Sequence, residues 1–169
     1  DGYKDGIFAT IYLSPSDYHR IHMPFAGKIK RIIHIPGRLF SVAPYTVTTV
    51  PELFARNERI VCVFDTEFGE MIMILVGAIF VSSMDTVWTG TVTPPGAKKV
   101  TEIEPDPSLN PLDIAKGEEM GRFNMGSTVI LLFPKDAVSL NDHLSAGSEL
   151  KLGNGIGKVS VKNNPQGKE

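Results

Sequence analysis

The sequence predicts a mostly β chain with minor helices, folded as one compact sandwich or barrel. Three observations carry this reading. Glycine and proline are frequent, at 16 and 12 of 169 residues. The apolar segments between them are short and rich in β-branched residues, which suits a pleated, half-buried surface. Turn signals separate these segments at the spacing of a sandwich or barrel.

Taken in order, strands are expected at residues 7–13, 27–35, 60–66, 71–81, 86–92, 127–133 and 156–161. Thr49-Val50-Pro51-Glu52 combines a capping threonine, an early proline and a glutamate three places after the threonine. A short helix is therefore expected over 51–55, and a second over 140–144. Pro94, Pro95, Pro105, Pro107 and Pro111 make residues 94–112 an irregular surface excursion. Residues 163–169 read as a frayed tail. There is no internal repeat at a fixed period and no low-complexity block.

With 42% hydrophobic residues the chain can bury one core, and its length suggests a single domain over residues 1–169. A net charge of -2 supplies no basic field, so nucleic acid is not expected as a partner. Cys62 is the single cysteine. It allows no intrachain disulfide, and between Val61 and Val63 it reads as a buried strand thiol, which fits a reducing compartment. The longest nearly unbroken apolar run, residues 71–81, contains Gly77 and is too short to span a bilayer as a helix. The chain opens Asp1-Gly2-Tyr3-Lys4-Asp5-Gly6, with neither an initiating Met nor a signal segment, and is expected to be part of a longer polypeptide.

The motif that carries chemistry is Met125-Gly126-Ser127-Thr128, between Glu118 to Phe123 and the apolar run Val129 to Phe133. A serine directly after a glycine can attack the preceding carbonyl, because glycine has no Cβ to crowd the approach and tolerates strained dihedrals. A neighbouring histidine can take the serine proton, and the segment Asp17 to Pro24 offers His19 and His22. On a strand these two face opposite sides, so a turn or helical segment around 15–24 is needed to bring both to one site. Without Cys or acidic partners at set spacing the pair is a weak metal signal, and no metal is expected. Gly147-Ser148 lacks a following apolar strand and reads as a loop. His34 and His143 read as structural or solvated, and Arg56 to Arg59 as a charged turn. Trp88, Phe25 and Phe40 fit a β core or acyl-chain contacts equally well.

Together with Tyr12 to Pro15, Pro36 to Val42, Leu53 to Arg59, Phe64 to Gly69, Val76 to Ala78 and Thr89-Gly90, these segments resemble the bacterial-type phosphatidylserine decarboxylases. These are pyruvoyl enzymes whose self-cleavage motif is written L-G-S-T or V-G-S-T. Met125 replaces the first position. The likeness covers most of residues 10–135 and weakens over 94–117 and after Asp136. It implies a fold related to the barrel-sandwich hybrid of lipoyl and biotinyl carriers. It implies cleavage between Gly126 and Ser127, giving a large chain 1–126 and a small chain 127–169, with a pyruvoyl group formed from Ser127 as the cofactor. His22 is then the base of a Ser-His-Asp arrangement whose acid lies upstream, Asp1-Gly2 being out of position for that role. His19 is the acid that protonates the carbanion-like product. Phosphatidylserine would condense with the pyruvoyl carbonyl as a Schiff base, lose CO₂ and leave as phosphatidylethanolamine. The resemblance further implies a homodimer of cleaved protomers, peripheral to the cytoplasmic face of the cell membrane. The sequence itself contains no obvious amphipathic helix with a basic face.

Three other readings compete. A non-enzymatic lipoyl- or biotinyl-like carrier module suits the same strands, but Lys98 and Lys99 lack the flanks of an attachment lysine. A pyruvoyl enzyme for a soluble amino acid would keep the mechanism and lose the matched segments. A serine hydrolase needs a G-x-S-x-G elbow, which is absent.

Overall fold

A computed structural model describes residues 2–79, 83–93, 97–123 and 127–160. The elements are β1 (Ile7–Leu13), β2 (Arg20–His22), β3 (Gly27–Ile35), α1 (Pro44–Thr49), α2 (Leu53–Arg56), β4 (Arg59–Thr66), β5 (Gly69–Val76), β6 (Met84–Thr86), β7 (Gly90–Thr91), β8 (Thr101–Ile103), β9 (Asp113–Ile114), β10 (Glu119–Phe123), β11 (Ser127–Phe133), β12 (Val138–Leu140) and β13 (Gly157–Val159). The larger sheet runs β1-β11-β5-β4-β3-β8, with β9 also on β3, and the smaller runs β2-β10-β6-β7. Neighbouring strands pair antiparallel.

Period-2 alternation decides which residues go inward. Ile60, Cys62 and Phe64 of β4, Met71, Met73 and Leu75 of β5, and Val129, Leu131 and Phe133 of β11 are all buried. They join Ile21, Met84, Met120 and Phe123 of the smaller sheet in one apolar cluster. The core therefore lies between the inward faces of the two sheets. Cys62 is part of it, and burial pushes its thiol up to about 12. Trp88 is also fully buried. It packs against Phe64 with ring centroids 5.9 Å apart, and its indole N–H donates to the Pro111 carbonyl at 2.8 Å.

The strands expected at 7–13, 27–35 and 127–133 form with those bounds. Elsewhere local chemistry intervenes. The run at 71–81 leaves the sheet after Val76, where Gly77 N–H donates to the Glu58 carbonyl at 2.9 Å and its own carbonyl accepts from Asn57 Nδ2 at 2.9 Å. Residues 80 and 81 of that expectation lie outside the described residues. The run at 86–92 is split between β6 and β7 by a turn that joins the Thr86 and Thr89 hydroxyls at 2.8 Å. The helix expected at 51–55 begins at Leu53. Glu52 sits in the left-handed region at φ 55° and makes no side-chain cap, so the Thr49–Glu52 box does not form. An unforeseen α1 precedes it, with Pro44 in its first turn.

The helix expected at 140–144 is not formed: Leu140 ends β12, which pairs with β13, and Asn141 N–H continues the contact to the Ile156 carbonyl at 2.9 Å. The strand expected at 156–161 forms in part, as β13, and residue 161 lies with the expected tail outside the described residues. The 94–112 excursion contributes β8 to the edge of β3, and there Arg31 grips Glu102 in a two-point ion pair at 2.6 and 2.9 Å. Hydrogen bonding from Arg31 holds the Glu102 carboxyl below its usual range. Among the described residues, no helix is long and apolar enough to cross a membrane.

Candidate active site

Ser127 opens β11, flanked by β1 and β5, with Leu13 of β1 directly opposite it. Alternation turns its side chain to the same inward face as Val129, Leu131 and Phe133, and it is 0% exposed. Among the described residues its Oγ has no hydrogen-bond partner, and the same holds for Oγ1 of Thr128. A buried hydroxyl without a partner costs about 1–3 kcal/mol. The placement therefore needs a reason beyond folding. Gly126 and Met125 lie outside the described residues.

His19 approaches this corner through the smaller sheet, whereas His22 lies at the other end of β2. A turn after β1 is tied by Ser14 N–H to Asp17 Oδ2 at 2.7 Å and Asp17 N–H to the Ser14 carbonyl at 2.9 Å. It carries the chain from the larger sheet into β2. At its end His19 accepts through its backbone carbonyl from Phe123 N–H at 3.0 Å. Phe123 is the last residue of β10, and four residues of chain span at most about 14 Å to Ser127. β1 and β11 pair in the larger sheet and β2 and β10 in the smaller. His19 is the last residue before β2 and Ser127 the first of β11.

His22 closes β2, at the end away from His19, and its register partner is Glu119. Its ring is fully engaged. Because a carbonyl only accepts, the 2.8 Å contact between Nδ1 and the Gly117 oxygen puts the proton on Nδ1. Nε2 is then the basic nitrogen, and it accepts from the Tyr18 hydroxyl at 2.9 Å. The Tyr18 ring lies over the imidazole, centroids 5.6 Å apart and 18° from parallel. His19 is fixed likewise, Nδ1–H donating to the Asp17 carbonyl at 2.5 Å. The segment is a turn followed by a strand. His19 lies at the turn and His22 on the strand, so the tilt of each ring is set by a backbone carbonyl.

Tyr18 and the Gly117 carbonyl were not singled out from the sequence. The available signal was the Tyr-x-x-x-His spacing inside Asp17 to Pro24, which only a chain reversal before the strand makes meaningful. Gly121 is a further silent determinant. A Cβ there would stand 2.4 Å from the Asp85 carbonyl, so only glycine lets β10 lie against β6. Arg20 and Arg122 oppose each other across β2 and β10, and each is diverted to an acid: Arg20 to Glu119 at 2.6 Å and Arg122 to Asp85 at 3.0 Å.

The residues set aside earlier have structural positions. Asn57 is fully buried, accepting from Phe40 N–H and donating to the Phe40 and Gly77 carbonyls. Glu58 meets buried His34 at 2.7 Å, and Arg59 donates to the Ala55 and Asn57 carbonyls. Phe40 lies under the Arg56 guanidinium at 4.8 Å. Phe25 joins Phe68 and Phe133 in an aromatic cluster. That cluster is at the far end of β11, about 20 Å of strand from Ser127. Ser148 is exposed in a turn and accepts from Ser145 N–H at 2.9 Å. Among the described residues no three His, Cys, Asp or Glu side chains converge as a metal site.

A family model described as phosphatidylserine decarboxylase matches residues 1–158. Among curated proteins, the chain is 52% identical over 155 residues to a phosphatidylserine decarboxylase proenzyme of Pseudomonas fluorescens, covering 92% of this chain and 54% of that protein. It is 51% identical over 162 residues to the proenzyme of Glaesserella parasuis, covering 95% and 54%. It is 53% identical over 152 residues to that of Vibrio vulnificus, covering 89% and 53%. The chain spans about half the length of the curated relatives it matches.

Proposed function

The chain belongs to the phosphatidylserine decarboxylase family, and on that premise we propose that it cuts itself between Gly126 and Ser127 and then converts phosphatidylserine to phosphatidylethanolamine and CO₂. The observation that supports this best is the Ser127 hydroxyl, fully buried and without a described partner, directly after a glycine.

In the proposed maturation Oγ bonds to the Gly126 carbonyl carbon, the Gly126–Ser127 C–N bond breaks, and the nitrogen takes the proton that Oγ has lost. The resulting ester is cleaved by β-elimination, releasing Gly126 as a carboxylate. Water then displaces ammonia, leaving a pyruvoyl group at position 127. The fit is chemical: an inward-facing serine at a strand start is the precursor such a group requires. Once formed, its carbonyl supplies an electron sink for a substrate amine, so that the adjacent carboxylate can leave as CO₂.

His22 is the proposed base. Gly117 holds it in the tautomer whose Nε2 can take a proton, and the Tyr18 hydroxyl must swing off that nitrogen first. A positioned base contributes about 10²- to 10⁴-fold. His19, whose backbone carbonyl accepts from Phe123 N–H, is the proposed acid for the carbon that loses CO₂. The carboxylate that would orient His22 is assigned to a part of the precursor outside this sequence, and it would take the place of the Gly117 carbonyl on Nδ1. Large and small chains of one precursor, a homodimer, and peripheral attachment to the cytoplasmic face of a membrane complete the proposal.

Denaturing intact mass tests it, with a parallel sample treated with borohydride in the presence of phosphatidylserine vesicles. Two chains split at 126/127, the smaller carrying a trapped adduct, are expected from the full-length precursor. A full-length precursor that stays uncut and traps nothing overturns the reading.

A further inference from the structure

We propose that Gly77 is a specificity-determining residue for the decarboxylation proposed above, and on that premise the Cβ it lacks leaves a slot beside position 127 that seats the carboxylate of a serine headgroup. Leu39 and Met84 wall the slot.

Cross-strand register puts Gly77 next to Ser127. Thr128 pairs with Val76, so Ser127 and Gly77 are the next residues along the two neighbouring strands. The Gly77 N–H, donating to the Glu58 carbonyl at 2.9 Å, carries the same row on to β4. On the other side of Ser127 stands Leu13. Residues directly opposite on neighbouring strands share a face. One flank of the inward serine therefore carries a leucine, and the other carries no side chain at all.

Backbone conformation does not demand that glycine, because its φ lies outside the left-handed region. A Cβ at position 77 would stand 3.5 Å from Leu39 Cδ2, 3.5 Å from Met84 Cε and 3.3 Å from the Glu58 carbonyl oxygen. Met84 is buried on the smaller sheet. The vacant position thus points between the two sheets, on the face where Ser127 lies.

The walls are fixed in place. Leu39 sits between two pinned residues: Arg38 N–H donates to the Arg56 carbonyl at 2.8 Å and its own carbonyl accepts from Glu58 N–H at 2.8 Å. Phe40 is held at both its N–H and its carbonyl by buried Asn57, at 3.0 and 2.8 Å. Asn57 Nδ2 also holds the Gly77 carbonyl at 2.9 Å. One side chain therefore sets the Leu39 wall and the Gly77 floor together.

The slot suits a group that is about to leave. Two methyl groups and a backbone carbonyl oxygen surround it, and none of the three donates a hydrogen bond. A carboxylate lodged there gives up water without gaining a donor, which is costly. The cost disappears when the bond to the carboxylate breaks, its electron pair stays with the carbon, and the group departs as neutral CO₂. An amine without a carboxylate has no need of the slot.

The test compares the full-length precursor with Gly77→Ala and with Gly77→Ala/Leu39→Ala. Denaturing mass follows the cut and the adduct trapped by borohydride from phosphatidylethanolamine vesicles, and CO₂ release follows turnover of phosphatidylserine vesicles. The same substitutions in an uncut Ser127→Ala background are unfolded in urea. All three precursors should cut at 126/127, and Gly77→Ala should keep its urea midpoint within about 0.5 M. It should trap phosphatidylethanolamine as the parent does but release CO₂ at least about tenfold more slowly, with Leu39→Ala restoring the rate to within about threefold. Loss of both signals together, loss of neither, or a loss that Leu39→Ala does not relieve overturns the slot and leaves the decarboxylase reading standing. A Gly77→Ala precursor that unfolds or stays uncut overturns it too, since the glycine then serves the backbone. A parent that stays uncut overturns the decarboxylase reading, and the slot with it.

Discussion

Thr128 is the sharpest place to test whether the start of β11 is shaped for chemistry at the expense of stability. Its Oγ1 is fully buried with no described partner, beside Tyr12 of β1 and Val76 of β5. In a Ser127→Ala background, which has no hydroxyl to attack Gly126, both proteins compared are uncut. Thr128→Val then exchanges the orphaned hydroxyl for a methyl at nearly constant shape. Removing an unsatisfied buried polar group recovers about 1–3 kcal/mol, and a methyl there meets apolar neighbours. The double variant should be more stable than Ser127→Ala by that amount, with a melting temperature higher by about 2–4 °C per kcal/mol for a chain of this size. Urea unfolding of the pair reads it as a raised midpoint at unchanged slope. A double variant less stable by about 1 kcal/mol would mean that Oγ1 holds a hydrogen bond, and the reasoning fails.

In the full-length precursor, His22→Ala should slow self-cleavage by about 10²- to 10⁴-fold, whereas Tyr18→Phe, which only uncovers Nε2, should leave the rate within about tenfold; time-resolved denaturing gels decide. Asn57→Ala strands three buried backbone partners at the Phe40 and Gly77 junction and should cost at least about 2 kcal/mol in urea unfolding, although it touches no proposed catalytic group. Cys62, buried with its thiol raised to about 12, should resist maleimide at neutral pH until the chain unfolds; rapid labelling of the native protein would contradict the assigned core. After cleavage the two chains should co-elute under native conditions and separate only in denaturant, as size exclusion followed by mass spectrometry will show.

The legible parts of this fold are those where one strand's own pattern decides its fate. β1, β3 and β11 carry long β-branched runs bounded by turn residues, and their bounds follow from the sequence. β2 and β10 do not. They are three and five residues long, and they exist because Gly121 admits β6 at close range and because Met23 N–H finds the Glu118 carbonyl at 2.9 Å. Both facts belong to tertiary structure. The same division holds at the site. Ser127 is visible as a residue after glycine and before an apolar strand, and His19 and His22 as a pair. Their environment is not: Tyr18 covering Nε2, Gly117 setting the tautomer and Asp17 holding His19 depend on a reversal between β1 and β2. Resemblance to a family supplied the roles, while the geometry supplied the partners.

The position of Ser127, first in β11, explains how the proposed cut before it could leave the two pieces together. β10 before the junction is held on both sides, by β2 and by β6, and β11 after it is held by β1 and by β5. β10 lies in the smaller sheet and β11 in the larger. Val129, Leu131 and Phe133 stay in the core, and at about 1.5–3 kcal/mol for each buried side chain they retain roughly 5–9 kcal/mol of attachment before the backbone pairs on either side are considered. The proposed self-cutting serine is well placed as the first residue of an interior strand, since that strand would also anchor the small chain after the cut.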